Sequence, residues 1–221
     1  MLQWLQNLGA GGAGLRKIDR HFEEMLQDGR HIFDAAANTL ISGGDPAVIK
    51  DDLFETDARI NQTEQRIRRE ILVHGNVHGT TSLTVLLAMM SLVKDAERIG
   101  DYAKNLYDLA ERRPQFDESE LGLLTDLKDS ISKLLVRGIN IFRKQDASQA
   151  EGFLHDADEI QDRCDARVEV CLGETGRNLA TEALTYRYMK RVASHVGNVV
   201  TSVVVPVDKL DFYPDKPESE Q

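Results

Sequence analysis

Lys94-Asp95-Ala96-Glu97-Arg98-Ile99-Gly100-Asp101 and Arg187-Tyr188-Met189-Lys190-Arg191-Val192-Ala193-Ser194 hold equivalent places in two halves of the chain, and four residues beyond them Asn105 and Asn198 coincide again. Upstream, each half carries a polar pair one helical turn apart: Asp57-Ala58-Arg59-Ile60-Asn61 in the first and Asp158-Glu159-Ile160-Gln161-Asp162 in the second. Each half thus reads as a helix, a short turn, a helix bearing the polar pair, a glycine-containing break and a long apolar helix. Repetition of one supersecondary unit predicts an all-α protein made of two tandem three-helix bundles. We expect the two to stack end to end.

The apolar spacing supports six helices. Residues 15–41 place Ile18, Phe22, Met25, Ile32, Phe33 and Leu40 on one face, the signature of a 3.6-residue period. Ser42-Gly43-Gly44-Asp45-Pro46 ends that helix and opens the next, with Asp45 as N-cap and Pro46 at the first helical position. The second helix covers 46–73 and is expected to stop in a loop from His74 through Gly75 to Gly79. The third covers 82–113 and is closed by Pro114. A fourth spans 119–144. Asp146-Ala147-Ser148-Gln149 reads as a capping box opening a fifth that continues to residue 172. Gly173 and Gly176 break it, and a sixth spans 181–205 before Pro206. The expected division is a flexible N-terminal segment (1–14), a first bundle (15–114), a second bundle (115–207) and a C-terminal tail (208–221).

Composition narrows the function. In 221 residues, 41% hydrophobic, acids outnumber bases by ten. A net charge of −10 argues against a nucleic-acid binder, whose surface must neutralise phosphates. Cys164 and Cys171 lie seven residues apart in a helical pattern, about 10 Å along the axis, too far for a disulfide. They read as reduced thiols of a cytoplasmic protein and, with no neighbouring ligand set, not as a zinc site. The opening Met1-Leu2-Gln3-Trp4-Leu5-Gln6-Asn7-Leu8 has no basic region and no cleavage pattern, so no signal peptide is expected. No apolar run approaches the roughly 20 residues that span a bilayer. Leu2, Trp4, Leu5 and Leu8 suit weak docking on a membrane or partner, but a tail or short helix against its own bundle is the plainer expectation.

The residues with most chemical promise are Asp57, Asn61, Glu97 and Asp101. Each pair is spaced i, i+4 and so projects two oxygen-bearing groups from one helix face. If the second and third helices pack antiparallel, the pairs converge into a patch fit for a hard or borderline divalent cation. Lys94, Arg98 and Lys104 lie within a turn, however, and a solvated, salt-bridged stripe is the commoner meaning of such a pattern. Gly100, which costs about 1 kcal/mol relative to Ala in a helix, points to close approach of a neighbouring helix or a bound group. His74, His78 and His195 are read as surface or loop residues before ligands.

Glu97-Arg98-Ile99-Gly100-Asp101 resembles the E-R-I-G-D signature of the PhoU family, and Asp57-x-x-x-Asn61 and Asp158-x-x-x-Asp162 fall where that family carries its partner motifs. The resemblance extends over residues 15–205. It implies a non-enzymatic regulator of phosphate uptake and phosphate-starvation signalling. Such proteins are cytoplasmic or peripheral to the inner membrane face, and work with a phosphate transporter or its cytoplasmic ATPase subunit and a sensor histidine kinase. They reach the membrane through that partner, and self-association stays open. It also implies a divalent metal (Fe, Zn, Mn or Mg) on Asp57, Asn61, Glu97 and Asp101. In the second half Lys190 and Ser194 stand where carboxylates are expected, so the metal is assigned to the first bundle only. There Lys190 is expected to face Asp158 and Asp162.

Two other readings compete. A di-metal carboxylate enzyme in a helical bundle normally draws on paired Glu-x-x-His motifs, which the chain lacks. The Gly9-Ala10-Gly11-Gly12-Ala13-Gly14 run is not followed by the Lys-Ser/Thr of a phosphate-binding loop. A metal-free scaffolding bundle is the remaining alternative.

Overall fold

The computed structural model describes residues 12–79 and 83–212. Among them are six α-helices: α1 (Gly12–Ser42), α2 (Lys50–His78), α3 (Leu83–Ala110), α4 (Glu118–Lys144), α5 (Ala147–Gly173) and α6 (Ala180–Val204), with 3-10 turns at Pro46–Val48 and Val207–Lys209. No strand occurs among the described residues. The opening residues 1–11 and the end of the tail, 213–221, lie outside them.

Local chemistry explains most boundaries. Gly43, at φ +68, takes the left-handed turn that ends α1. Asp45 Oδ1 accepts the Ala47 N–H, but Pro46 opens a 3-10 turn and the α-helix proper begins four residues later. The expected loop at residues 74–79 is corrected. α2 runs through Gly75 to His78, and Gly79 (φ +63) ends it by donating to the Gly75 carbonyl. Gly75 packs against Leu86, a tertiary contact that offsets its poor helix propensity. The capping box at Asp146 is also modified. Asp146 accepts from the Ser148 N–H, while Gln149 donates to the Asp146 carboxylate instead of closing on its backbone.

The two halves lie side by side, not end to end. α3 packs on α1 and α2 in its own half and on α6 of the other, while α1 packs on α4. Asp95 meets Asn198 while Tyr102 meets Arg191 and Tyr188, so α3 and α6 run antiparallel. Phe22 of α1 and Phe142 of α4 meet with ring centroids 4.9 Å apart. A single apolar core joins both halves. The cause is the breadth of the apolar surface on α3, where Val85, Leu86, Met89, Leu92, Val93, Ala96, Ile99, Ala103 and Leu106 are all buried. A helix apolar over more than one stripe needs cover on more than one side.

Glycines set the closest approaches. A methyl group at Gly100 would stand 3.1 Å from Ile60 Cδ1 and 3.6 Å from Ile32 Cδ1, so this glycine lets α1, α2 and α3 close together. At Gly138 of α4 it would meet Val196 Cγ2 at 2.6 Å and Phe153 at 3.1 Å.

Candidate functional site

The register that sets Gly100 against Ile60 also sets α3 antiparallel to α2, with Lys104 opposite Asp57. Asp57 is buried, and its Oδ2 accepts from Lys104 Nζ at 3.0 Å and from the Asn61 side-chain amide at 3.3 Å. Glu97, also buried, accepts from Lys94 Nζ at 2.6 Å. Asp101 is half-buried and lies 3.5 Å from Arg98 Nη1. Its carboxyl is pushed up from the ordinary carboxylate range by burial and then by the negative charge of Glu97, against the opposing pull of Arg98, Lys104 and Lys94.

All four expected residues therefore share the α2–α3 face, but as a compensated acid–base lattice. Among the described residues no three Asp, Glu, His or Cys side chains are gathered to hold a metal ion. In this arrangement a cation would reach these donors only by displacing their basic partners. Asp57 and Glu97 each have an ammonium partner, and Asn61 turns its amide N–H toward Asp57.

The second half departs from expectation in its pairing. Lys190 forms its ion pair with Asp165, not with Asp158 or Asp162. Helix register explains the correction: Ala157 packs against Gly197, so Asp158 lies two turns along α6 from Lys190. Asp158 instead borders a polar recess of about 190 Å³ with Ser194, Asn198, Thr201 and Asp211. Asp162 is exposed.

A polar junction between the halves escaped the sequence reading. Asp95 is buried in α3, and its Oδ1 accepts from His195 Nδ1 at 2.8 Å and from the Asn198 amide at 2.9 Å. Arg191 faces His195 Nε2 at 3.2 Å, and because a guanidinium can only donate, the imidazole proton sits on Nδ1 toward Asp95. Arg191 also donates to the Tyr102 hydroxyl, and Tyr102 stacks on His195. The available signal was an acid embedded in the most apolar helix, where an unpaired charge is not tolerated. Its partner was a histidine a hundred residues away. His74 and His78 are neighbours on α2, with ring centroids 4.2 Å apart, and burial followed by the charge of His78 lowers the His74 pKa.

Against known proteins, the model of the PhoU domain matches residues 22–110. No curated protein matches the chain. Two crystal structures are among those that share its fold. PhoU from Pseudomonas aeruginosa is 20% identical with a TM-score of 0.74, over 87% of this chain and 96% of that one. The phosphate transport system regulatory protein PhoU from Streptococcus pneumoniae is 17% identical with a TM-score of 0.69, over 86% of this chain and 95% of that one. Residues 22–110 are thus similar to a PhoU domain, and the chain as a whole shares its fold with these PhoU structures.

Proposed function

We propose that this chain is a non-enzymatic regulator of phosphate uptake and phosphate-starvation signalling, working in the cytoplasm through contact with a phosphate transporter, or its ATPase subunit, and a sensor histidine kinase. The observation that carries this reading is the PhoU-domain match over the α1–α3 unit, which contains the Glu97–Asp101 signature. No described helix is long and apolar enough to cross a membrane, which suits recruitment through a partner. The acidic balance suits basic patches on such a partner. Deleting the gene should leave the starvation response switched on in phosphate-replete medium, and tagged protein should recover a transporter subunit or kinase from the membrane fraction. An unchanged response together with no such partner would overturn the reading.

A divalent cation on Asp57, Asn61, Glu97 and Asp101 is a second reading. The raised Asp101 carboxyl favours it, because burial and then repulsion from Glu97 disfavour the charged form that a cation would stabilise. Such a cation must displace Lys94 and Lys104, both on flexible stems. Protein purified without chelator should then carry metal that Asp101→Ala lowers and Asp162→Ala leaves in place. Equal loss in both variants would refute a site confined to the first bundle.

A further inference from the structure

Where α2 ends and α3 begins, the two helices leave an open groove of about 420 Å³ lined by Leu72, Gly75, Leu83, Leu86, Leu87 and Met90. That volume falls within the roughly 300–1,000 Å³ of pockets that bury an apolar ligand. Leu72 is 62% exposed and Leu87 56%, and Val73, Val77 and Leu83 are exposed beside them. Exposed apolar side chains gathered at one end of a bundle mark a surface that something covers. Gly75 keeps the floor open, since a methyl group there would stand 3.4 Å from Leu86 Cδ1.

The start of α1 abuts this end of the molecule. A methyl group at Gly14 would stand 2.8 Å from His74 Nδ1, one residue from the groove floor. Before it, Gly12 takes φ +79, a left-handed conformation that glycine adopts without strain. Eleven residues precede Gly12, a reach of up to about 36 Å when extended. The stretch from Met1 to Gly14 has no charged side chain, and Met1, Trp4, Leu5 and Leu8 follow helical i, i+3, i+4, i+7 spacing.

We propose that the segment containing Leu2, Trp4, Leu5 and Leu8 docks in this groove of its own chain, with the indole of Trp4 as the anchor. Length, starting point, absence of charge and apolar spacing all match the surface beside it. A docked segment would mask the exposed apolar side chains of the α2–α3 end, and its release would expose them to another protein. The inference rests on the groove and the segment alone and stands whether or not the regulator reading holds.

Trp4 is the sole tryptophan, so its fluorescence in the full chain reports the docking directly. We expect blue-shifted emission, shielded from acrylamide and independent of protein concentration. Leu87→Asp, at an exposed position, and Gly75→Leu, which fills the groove on a helix, should each move the emission to longer wavelength and raise quenching several-fold. Leu172→Asp, an exposed position at the opposite end of the bundle, should change neither. Solvent-like emission in the unaltered protein, or emission indifferent to both groove variants, would overturn the proposal. So would a blue shift that appears only with added lipid vesicles, which would assign the segment to a membrane. One that grows with protein concentration would assign the groove to a second copy and likewise overturn it.

Discussion

Asp57 and Asp158 begin equivalent motifs on α2 and α5, yet they meet different neighbours. Asp57 is buried against Lys104, whereas Asp158 is exposed beside a small polar recess, opposite the turn that carries Gly197. Lys190 replaces Glu97 and bonds Asp165 one helix away, while Glu97 is neutralised within its own helix by Lys94. Both halves keep the same helix order and bury apolar side chains between their helices. A three-helix unit can thus be copied and its surface rewritten, because burial of the apolar stripes specifies the fold and the polar face does not.

The buried Asp95 tests how firmly the halves are joined. Asp95→Ala removes two hydrogen bonds to a carboxylate and should cost about 1.5–3 kcal/mol in urea denaturation. A single transition should persist, because the apolar core is continuous; two resolved transitions would show that the halves are independent units. Gly138→Ala should cost about 1–3 kcal/mol through overpacking against Val196 and Phe153. Gly29→Ala, whose added methyl would come no closer than 3.1 Å to Ile99, should cost less, and equal losses would mean the second half is no more tightly closed than the first.

Lysine replacement separates the two acidic faces. Lys104→Met leaves the buried Asp57 carboxylate with Asn61 alone and should cost about 1 kcal/mol. Lys190→Met strips a half-exposed Asp165 and should cost a few tenths, as exposed pairs do. The smallest effect concerns Asp101. Its folded-state carboxyl is raised, so the stability it contributes is present at acid pH and lost as pH rises through the folded value. Asp101→Asn should therefore raise the melting temperature slightly at neutral pH and not below the ordinary carboxylate range. A fall at neutral pH would mean that ionised Asp101 is stabilised by a bound cation.

The helices were legible because their apolar positions recur over many turns; α4 and α5 begin and end within one residue or two of the expected places. Gly75 misled because a glycine inside a helix and a glycine in a loop look alike until its neighbour, Leu86, is known. The side-by-side arrangement was implicit in the excess of buried apolar residues on α3, which one bundle does not cover. Asp57 and Lys104 were both visible, but their pairing across α2 and α3 depends on axial register, which spacing within one helix does not supply. The same ignorance of register put Lys190 opposite the wrong aspartates. Asp95 went unnoticed because its partners come from the other half of the chain.

Cys164 sits on α5 with no exposed surface, and burial pushes its thiol up to about 12. The reactive thiolate is thereby nearly absent while α5 is seated on α6. Labelling of this sulfur at neutral pH then proceeds through moments when the helix lifts away, so the rate of thiol modification works as a clock for local opening of the second bundle. Comparing that rate with global unfolding would tell whether α5 breathes alone or only when the whole protein comes apart.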